Sequence, residues 1–283
     1  MSARLFAYLK TMRLIICLMA AIMALEGYWL AVHRFEIPSG APLFAAIAAG
    51  AGLAFANVFN DILDVDADRI NHPQRPLPSG QITLAEASWL AGGLCVVSLL
   101  ASFLAGGQMF LLAAGLLALS VVYNVWAKKI PILGNFIVAL SGALILATGA
   151  CILPGGDFPI FPLLATLLFL LAREFLETVS DAPGDQMTGR NSIATLWGRA
   201  RVLQICFGLA LVSAVLLIVP AFGARSLQAR LLYLITVMVI LILPGLLFTI
   251  AIWKDQSLRN IHVVIYRTRL LLFASLISLL WLV

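Results

Sequence analysis

Residues 41–68 read APLFAAIAAGAGLAFANVFNDILDVDAD, an apolar stretch that ends in four aspartates. About 20 apolar residues are enough for a helix to cross the hydrocarbon core of a bilayer. Residues 41–60 therefore predict a membrane-spanning helix with the four carboxylates at its end. Carboxylates this close together repel each other and are stabilised by a bound cation, so the stretch predicts a cation site at the membrane surface.

A second acidic group follows another apolar stretch further along the chain. Asp181 and Asp185 repeat the four-residue spacing of Asp64 and Asp68. In the first group, Asp61 also shares a helix face with Asp64 and Asp68 if the helix continues past Asn60, because residues three and four apart are neighbours on a helix. Two matching acidic groups predict one shared ligand.

The composition identifies the surroundings of these motifs. Of 283 residues, 63% are hydrophobic and only 11% are charged, with a mean hydropathy of +1.06, whereas soluble domains have about 25% charged residues. The chain is thus predicted to be an integral membrane protein. The net charge is +5, but the basic residues are spread over short loops and form no stripe or tail. This distribution argues against a nucleic-acid partner. The four cysteines lie in apolar segments without Cys-x-x-Cys spacing and give no metal or redox signal.

The apolar segments predict an all-α membrane protein whose nine transmembrane helices form one bundle. Turn-forming residues such as Pro38 and Gly40 separate the segments. We expect a single membrane-embedded domain over residues 1–283. The predicted spans are 11–33, 41–60, 83–105, 108–127, 132–152, 159–178, 202–221, 229–252 and 262–283.

The basic residues predict the orientation of this bundle. With the N-terminus inside, 15 of the 18 Lys and Arg residues are cytoplasmic, and only Arg34, Arg225 and Arg230 lie on the other side, as the positive-inside rule requires. Both acidic motifs then face the cytoplasm and the C-terminus lies opposite, and we expect the plasma membrane of a prokaryote. The motifs are four spans apart, which is compatible with an internal repeat of four helices.

The ligand types in the acidic loops indicate the chemistry. Oxygen ligands without His or Cys favour a hard ion, and Mg²⁺ typically binds one or two carboxylates together with substrate phosphates. Basic side chains near both loops suit phosphate oxygens. These are Arg69, Arg75, Lys128, Lys129 and Arg190. The acids and bases together predict a diphosphate substrate bound with magnesium.

Longer stretches around both motifs resemble the signatures of the UbiA-type intramembrane prenyltransferases. Asn60 to Asp68 is followed by Arg75-Pro-Leu-Pro-Ser-Gly80, and the family pattern is N-D-x-x-D-x-x-x-D followed by R-P-[LI]-P-[SA]-G. The second signature runs from Arg173 to Asp185 and continues to Gly198. Tyr123 to Lys129 resembles the tyrosine and lysine element between the two. The resemblance covers essentially the whole chain.

The resemblance implies a nine-helix bundle around a central cavity that transfers an isoprenyl group from a prenyl diphosphate to a hydrophobic or phosphate-bearing acceptor. It implies two Mg²⁺ ions, one on each acidic motif. The implied metal ligands are Asp61, Asp64, Asp68, Asp181, Asp185 and Glu177. The implied catalytic residues are Arg75, Tyr123, Lys128 and Arg190. The implied substrate-binding residues are Asn60, Arg69, Lys129, Arg173 and Asn135.

The second motif departs from the family pattern. Many members carry a further aspartate where this chain has Thr178, so either Glu177 replaces it or fewer carboxylates hold the second ion. The run from Lys128 to Asn135 and the Arg173-Glu174 pair look most like members that make geranylgeranylglycerol phosphate ethers. An aromatic acceptor of the 4-hydroxybenzoate or quinone-precursor type is the close alternative.

Cation transport and acceptor-independent terpene cyclisation are alternatives to acceptor prenylation. A cation-binding transporter would place its ionisable groups near the membrane midplane, whereas the charges here gather at one predicted face and Glu26 is the main exception. An acceptor-independent terpene cyclase follows if Thr178 weakens the second metal site. Diphosphate release, and its dependence on an acceptor, discriminates among the three.

Overall fold

The computed structural model of the protein describes residues 3–153, 155–188, 191–223 and 226–282. Helices and the turns that join them make up these residues, which contain no β-strand. The predicted all-α fold is confirmed. Contacts within the chain divide it into two compact units, each described separately below.

The first unit comprises the described residues of Met1–Tyr28, Glu36–Ala127 and Ile145–Gly156. Two helices, α2 and α7, belong partly to it and partly to the second unit. Its helices are α1 (Ala3–Met12), α2 (Leu14–Val32), α3 (Ala41–Leu63), α4 (Val65–Asn71), α5 (Leu84–Ala105), α6 (Gly107–Val125) and the end of α7 (Leu133–Ala150).

The helix that leads to the first acidic motif, α3, packs against α5 through small residues. Ala45 and Ala48 of α3 are buried against Ala101 and Ala105 of α5. Ser98 of α5 donates a hydrogen bond from Oγ to the Ala48 carbonyl at 2.9 Å. Small side chains let helix backbones approach closely where lipid supplies no hydrophobic driving force. This packing fixes the helix that carries the first motif.

Glycines bring α2 and α7 into backbone contact within the first unit. A Cβ atom on Gly27 would lie 1.8 Å from the Leu146 carbonyl oxygen, and one on Gly149 would lie 1.7 Å from the Ala24 carbonyl oxygen. Both distances are far below van der Waals contact. Only glycine fits at these two positions.

The second unit comprises the described residues of Trp29–Phe35, Lys128–Leu144 and Asp157–Val283. Its core joins Phe175, Leu176 and Val179 to Val202 and Ile261. Besides the end of α2 and the start of α7, its helices are α8 (Ile160–Thr188), α9 (Ile193–Trp197), α10 (Arg199–Ile218), α11 (Leu227–Val237), α12 (Leu243–Lys254) and α13 (Leu258–Leu279).

Seven helical segments are long and apolar enough to cross a membrane. They are Leu14–Val32, Ala41–Leu63, Leu84–Ala105, Gly107–Val125, Leu133–Ala150, Arg199–Gly223 and Leu227–Lys254. These helices and the composition make the chain an integral membrane protein. Predicted spans six and nine coincide with α8 and α13, which are not among the seven, so the count of nine stays a prediction.

Two predicted spans are interrupted. Span one divides at Arg13, a non-glycine residue with φ of 57° between α1 and α2. Span eight contains a π-helical turn at Met238–Ile242, directly before α12, whose second residue is Pro244. Proline lacks the N–H that would continue the helical pairing, and a π turn absorbs the mismatch.

Candidate active site

The first acidic motif lies on a helix that bends but keeps its hydrogen bonds. Helix α3 ends at Leu63, and Asp64 caps it with φ of −100° and ψ of 8°. The Asp64 amide donates to the Asn60 carbonyl at 3.0 Å, and the Asp68 amide donates to the Asp64 carbonyl at 2.8 Å. The helix thus continues past Asn60, as predicted, with a break at Asp64 that leads into α4.

Arginines neutralise the two buried carboxylates of this motif. Asp61 is 3% exposed and Asp68 is 5% exposed. Arg13 donates from Nη2 to Asp61 Oδ1 at 3.0 Å. Arg75 donates from Nη1 to Asp68 Oδ2 at 2.6 Å and lies 3.7 Å from Asp61 Oδ1. A buried charge is costly without a partner, so the pairing explains how both acids are retained beneath the surface.

The loop that carries Arg75 is held by its own signature residues. Leu77 and Ile82 are buried against Phe55 and Val58 of α3. The Gln81 amide donates to the Pro76 carbonyl at 2.9 Å. Gly80 has φ of 75°, a left-handed conformation that favours glycine. The Arg-Pro-Leu-Pro-Ser-Gly run therefore anchors the loop and aims Arg75 at the acidic motif.

Asn60 is oriented by hydrogen bonds that leave its oxygen available. Its Nδ2 donates to Asp64 Oδ2 at 2.9 Å and to Asn124 Oδ1 at 2.7 Å. Asn124 is buried and donates from its own Nδ2 to the Ser120 carbonyl at 2.9 Å. Among the described residues no donor reaches Asn60 Oδ1. That oxygen suits a hard cation next to the Asp64 carboxylate.

The structure separates one predicted residue, Arg69, from this cluster. Arg69 donates from Nη1 to Asp66 Oδ1 at 2.6 Å, and both side chains are largely exposed, at 63% and 87%. The pair is exposed, whereas Asp61 and Asp68 are buried. Tyr123 is half-buried in the last turn of α6, next to Asn124.

The second acidic motif lies in the second unit on the C-terminal half of α8. Arg173 donates from Nη2 to Glu177, four residues along the helix, and from Nη1 to Glu174 Oε1 at 3.3 Å. Asp181 is exposed and Asp185 is half-buried. Glu177, a predicted metal ligand, is therefore ion-paired in this structure.

A serine and a histidine join α8 to α13 directly beside Asp181. Ser180 Oγ and His262 Nε2 are 2.7 Å apart, and His262 Nδ1 lies 2.8 Å from the Leu258 carbonyl oxygen. A carbonyl only accepts, so Nδ1 carries the proton in the neutral ring and Nε2 accepts from the serine hydroxyl. The pair fixes the turn of α8 from which Asp181 projects.

The remaining predicted residues lie at the start of α7 or outside the described chain. Lys128 and Lys129 end a short 3₁₀ turn, Lys128 half-buried and Lys129 exposed. Asn135 is half-buried in the first turn of α7. Arg190 falls outside the described residues, and its predicted role remains a prediction.

The oxygen ligands of the first motif suit magnesium without forming a closed cage. In the described ranges no group of three or more His, Cys, Asp and Glu side chains is placed to hold a metal ion. Mg²⁺ usually keeps waters and binds one or two carboxylates with substrate phosphates. Asn60 Oδ1 beside Asp64 is a donor set of that kind, so the residues fit the ion.

Three residues near the motifs were not predicted to take part. They are Arg13, Asn124 and His262. Each contacts a partner that is distant in sequence. Arg13 and Asp61 are 48 residues apart, Asn60 and Asn124 are 64 apart, and Ser180 and His262 are 82 apart. Only Asn124 carried a sequence signal of its role, because it is an amide near the end of an apolar span.

Comparison with known proteins agrees with the geometry. The UbiA prenyltransferase family matches residues 15–278. A digeranylgeranylglyceryl phosphate synthase from Metallosphaera sedula is 33% identical over 201 residues, which cover 70% of each chain. A solved digeranylgeranylglyceryl phosphate synthase structure superposes with a TM-score of 0.78 at 25% identity, over 99% of this chain and 98% of that one. A UbiA homologue from Archaeoglobus fulgidus bound to GPP and Mg²⁺ superposes with a TM-score of 0.69 at 19% identity, over 96% and 99%.

The chain belongs to the UbiA prenyltransferase family. It is an intramembrane prenyltransferase, and the resemblance inferred from the two acidic signatures is confirmed.

Proposed function

We propose that this protein transfers a geranylgeranyl group from its diphosphate to geranylgeranylglyceryl phosphate. The observation that carries the proposal is the cluster of Asp61, Asp68 and Arg75, which holds carboxylates and a guanidinium within contact distance. Carboxylates bind a cation and guanidinium binds phosphate, so one cluster has both kinds of group that a metal diphosphate needs. The names of the sequence relatives support the choice of acceptor.

The reaction exchanges one carbon–oxygen bond for another. The bond between C1 of the isoprenyl group and the diphosphate oxygen breaks, and diphosphate leaves with the electron pair. The acceptor hydroxyl oxygen forms an ether bond to C1, and its proton is released. Each geranylgeranyl group transferred therefore yields one diphosphate and one proton.

Arg75 has two roles in this proposal. Without substrate it pairs with Asp68 and Asp61. A cation held by Asp64 and Asp68 would release the Arg75 guanidinium for the oxygens of the departing diphosphate, where a bidentate contact would stabilise the developing charge. Asn60 and Asp64 would help to hold this cation, and the hydrogen bond from Asn60 Nδ2 to Asn124 would orient the Asn60 side chain for that role.

We assign two Mg²⁺ ions, one to Asn60, Asp64 and Asp68 and one to Asp181 and Asp185. When bound, they neutralise negative charge on the leaving diphosphate. The homologue from Archaeoglobus fulgidus binds Mg²⁺ with GPP, which supports magnesium as the ion. Arg69 is exposed and paired with Asp66, so we assign it a peripheral role in binding the substrate.

The rest of the reaction depends on excluding water. The isoprenyl cation formed as diphosphate leaves is consumed by any water that reaches it, so the apolar helices supply the dry surroundings that transfer requires. Tyr123 shields the cation with its ring. Lys128, Lys129, Asn135, Arg173 and Arg190 are assigned to the phosphate groups of donor and acceptor.

Diphosphate release by purified protein in detergent tests this proposal. With Mg²⁺, geranylgeranyl diphosphate and geranylgeranylglyceryl phosphate, we expect release that requires the acceptor and falls at least about 100-fold in Asp64→Ala and Asp181→Ala. Asp66→Ala removes an exposed carboxylate from the same motif and is the matched control, with expected activity within about twofold of the wild type.

Other outcomes identify the alternatives. Release that requires 4-hydroxybenzoate instead would establish the aromatic acceptor. Release without any acceptor would establish a cyclase or hydrolase. No release with any acceptor, together with cation flux in liposomes, would establish a transporter.

We also propose that the acidic motifs face the cytoplasm, because this orientation places 15 of 18 basic residues on that side. In a cysteine-free variant, a cysteine at Gln81 should react with a membrane-impermeant thiol reagent only in inverted vesicles. A cysteine at Ser226 should react only in intact cells. The reverse pattern would overturn the orientation.

A further inference from the structure

A cavity of about 320 Å³ lies in the second unit at the C-terminal end of α8. It is bounded by α8, by α9, by the first residue of α10 and by the first residue of α13. Its lining residues are Val179, Ala182, Pro183, Gln186, Ala194, Thr195, Gly198, Arg199 and Leu258. Arg199 is the only charged residue among them.

Arg199 is the residue of this cavity that indicates a ligand, because part of its guanidinium has no hydrogen-bond partner in the described part of the chain. Its Nε and Nη2 atoms are buried and have no hydrogen-bond acceptor among the described residues. Buried polar groups are nearly always paired, and a guanidinium is especially costly to leave without an acceptor. The cavity wall therefore carries donors that the described protein leaves unsatisfied.

The neighbouring groups do not satisfy this need. The hydroxyl of Thr195 is already used, since it accepts from the Ser192 amide at 2.8 Å and donates to the Ser192 carbonyl at 2.9 Å. Asp255 feels the charge of Arg199, but its pKa is lowered first by hydrogen bonds from Ser257 and only weakly by the guanidinium. Asp255 makes no ion pair with Arg199 in the described structure.

The cavity does not lie on the side of α8 that carries the second acidic motif. Successive residues of a helix are about 100° apart. Val179, Ala182, Pro183 and Gln186 therefore share one side of α8, and Asp181 and Asp185 point more than about 100° away from its centre. A ligand in the cavity would lie behind the motif.

We propose that this cavity is an accessory binding site for a phosphate group, held by Arg199. Phosphate offers several acceptor oxygens to the planar guanidinium and matches its geometry. The first residue of a long helix is also a favourable place for an anion. A lipid headgroup and soluble phosphate share this chemistry. The site is separate from the proposed reaction and does not depend on it.

Occupancy of the site would stiffen the helix that carries the second motif. Pro183 lies inside α8, where it lacks the N–H that would pair with the Val179 carbonyl. Both residues line the cavity. A phosphate bound to Arg199 of α10 links this weakened turn to a neighbouring helix.

The test compares Arg199→Gln with Arg201→Gln. Arg201 is an exposed residue of the same helix turn, so its substitution removes the same charge away from the cavity. Inorganic phosphate is titrated into purified protein at constant ionic strength, with the thermal unfolding midpoint as the readout. Retention of phosphatidic acid against phosphatidylcholine is measured separately by native mass spectrometry of delipidated protein.

We expect wild type and Arg201→Gln to be stabilised saturably by at least one of the two probes, and the dissociation constant to rise about tenfold or more in Arg199→Gln. An effect of phosphatidic acid alone identifies a lipid headgroup, and an effect of inorganic phosphate alone identifies a soluble ligand. Binding to neither probe by the wild type, or equal binding by Arg199→Gln, would overturn the proposal.

A second variant covers the case in which Arg199→Gln does not fold. Ala182→Leu fills the cavity from α8 and keeps the arginine. We expect it to lose the binding seen in the wild type, and undiminished binding by this variant would also contradict the proposed site.

Discussion

Arg13 Nη2 lies 3.0 Å from Asp61 Oδ1, so the residue that divides α1 from α2 pairs with a buried carboxylate of the first acidic motif. Arg13 has φ of 57°, a conformation that costs energy in a residue with a side chain. Its guanidinium also donates from Nη1 to Asn57 Oδ1 at 3.3 Å. These contacts explain why an arginine is retained in a strained position.

We predict that Arg13→Gln destabilises the protein by about 1–3 kcal/mol, because Asp61 is left buried without its closest cation. The free energy of unfolding in detergent measures the loss. The double variant Arg13→Gln, Asp61→Asn should recover part of it, since the uncompensated charge is gone. Arg4→Gln is the control. Arg4 is 76% exposed and makes a long ion pair of 3.8 Å with Glu86, so its loss should lower the free energy of unfolding by less than about 1 kcal/mol. Equal losses at both arginines would contradict the assignment.

We predict that Asn124→Leu raises the Mg²⁺ concentration for half-maximal activity about tenfold or more, as expected when a residue that orients a metal ligand is removed. Asn124 accepts from the Asn60 amide at 2.7 Å, and without it only the hydrogen bond to Asp64 orients the Asn60 side chain. Diphosphate release at increasing Mg²⁺ gives the value. Asn71→Leu, at the exposed end of α4, should leave it unchanged. A magnesium requirement unaltered in Asn124→Leu would rule out the orienting role.

We predict that His262→Leu weakens the second acidic motif, because Ser180 loses its acceptor beside Asp181. The expected cost is about 1 kcal/mol of stability, with a several-fold lower kcat and a raised Mg²⁺ requirement. His262→Gln keeps an acceptor and should recover most of both. His33→Leu breaks the exposed contact of His33 with Asp157 and should leave the Mg²⁺ requirement as it is. A loss of stability without a change in Mg²⁺ requirement would mean that His262 serves packing alone.

We predict that Gly149→Ala destabilises the protein by about 2–3 kcal/mol, because its new methyl group overlaps the Ala24 carbonyl and forces α2 and α7 apart. Unfolding in mixed micelles with increasing SDS measures the change. Gly115→Ala is the matched control in α6, where a Cβ atom would meet nothing within 4 Å. There alanine should be neutral or stabilising by up to about 1 kcal/mol. Similar losses at both glycines would show that the helix contact is not the cause.

Several features of the fold were predictable because they depend on short stretches of sequence. Apolar runs of sufficient length predicted the helices, and α3 begins at Ala41, as predicted, and ends three residues beyond Asn60. The breaks within spans one and eight were not predicted. The break at Arg13 depends on contacts with Asn57 and Asp61, which lie in another helix, so no pattern within span one reports it.

The candidate site was predictable in its residue types and less so in its pairings. Asp64 and Asp68 were identified from their spacing, and Arg75 from its signature. The structure adds that Arg69 turns to the exposed Asp66 while Arg75 reaches the buried Asp68. Both arginines follow the motif closely, and burial of Leu77 and Ile82 beneath the loop is what directs only one of them inward.

The sequence by itself determined that this protein is helical, lies in the membrane and belongs to the prenyltransferase family, because apolar length and acidic spacing are local properties of the chain. Only the tertiary structure decided that Arg13 pairs with Asp61, that Asn124 orients Asn60, and that His262 holds Ser180. These partners lie far apart in sequence, and they meet because helix packing brings their polar side chains together where an unpaired polar group would be costly.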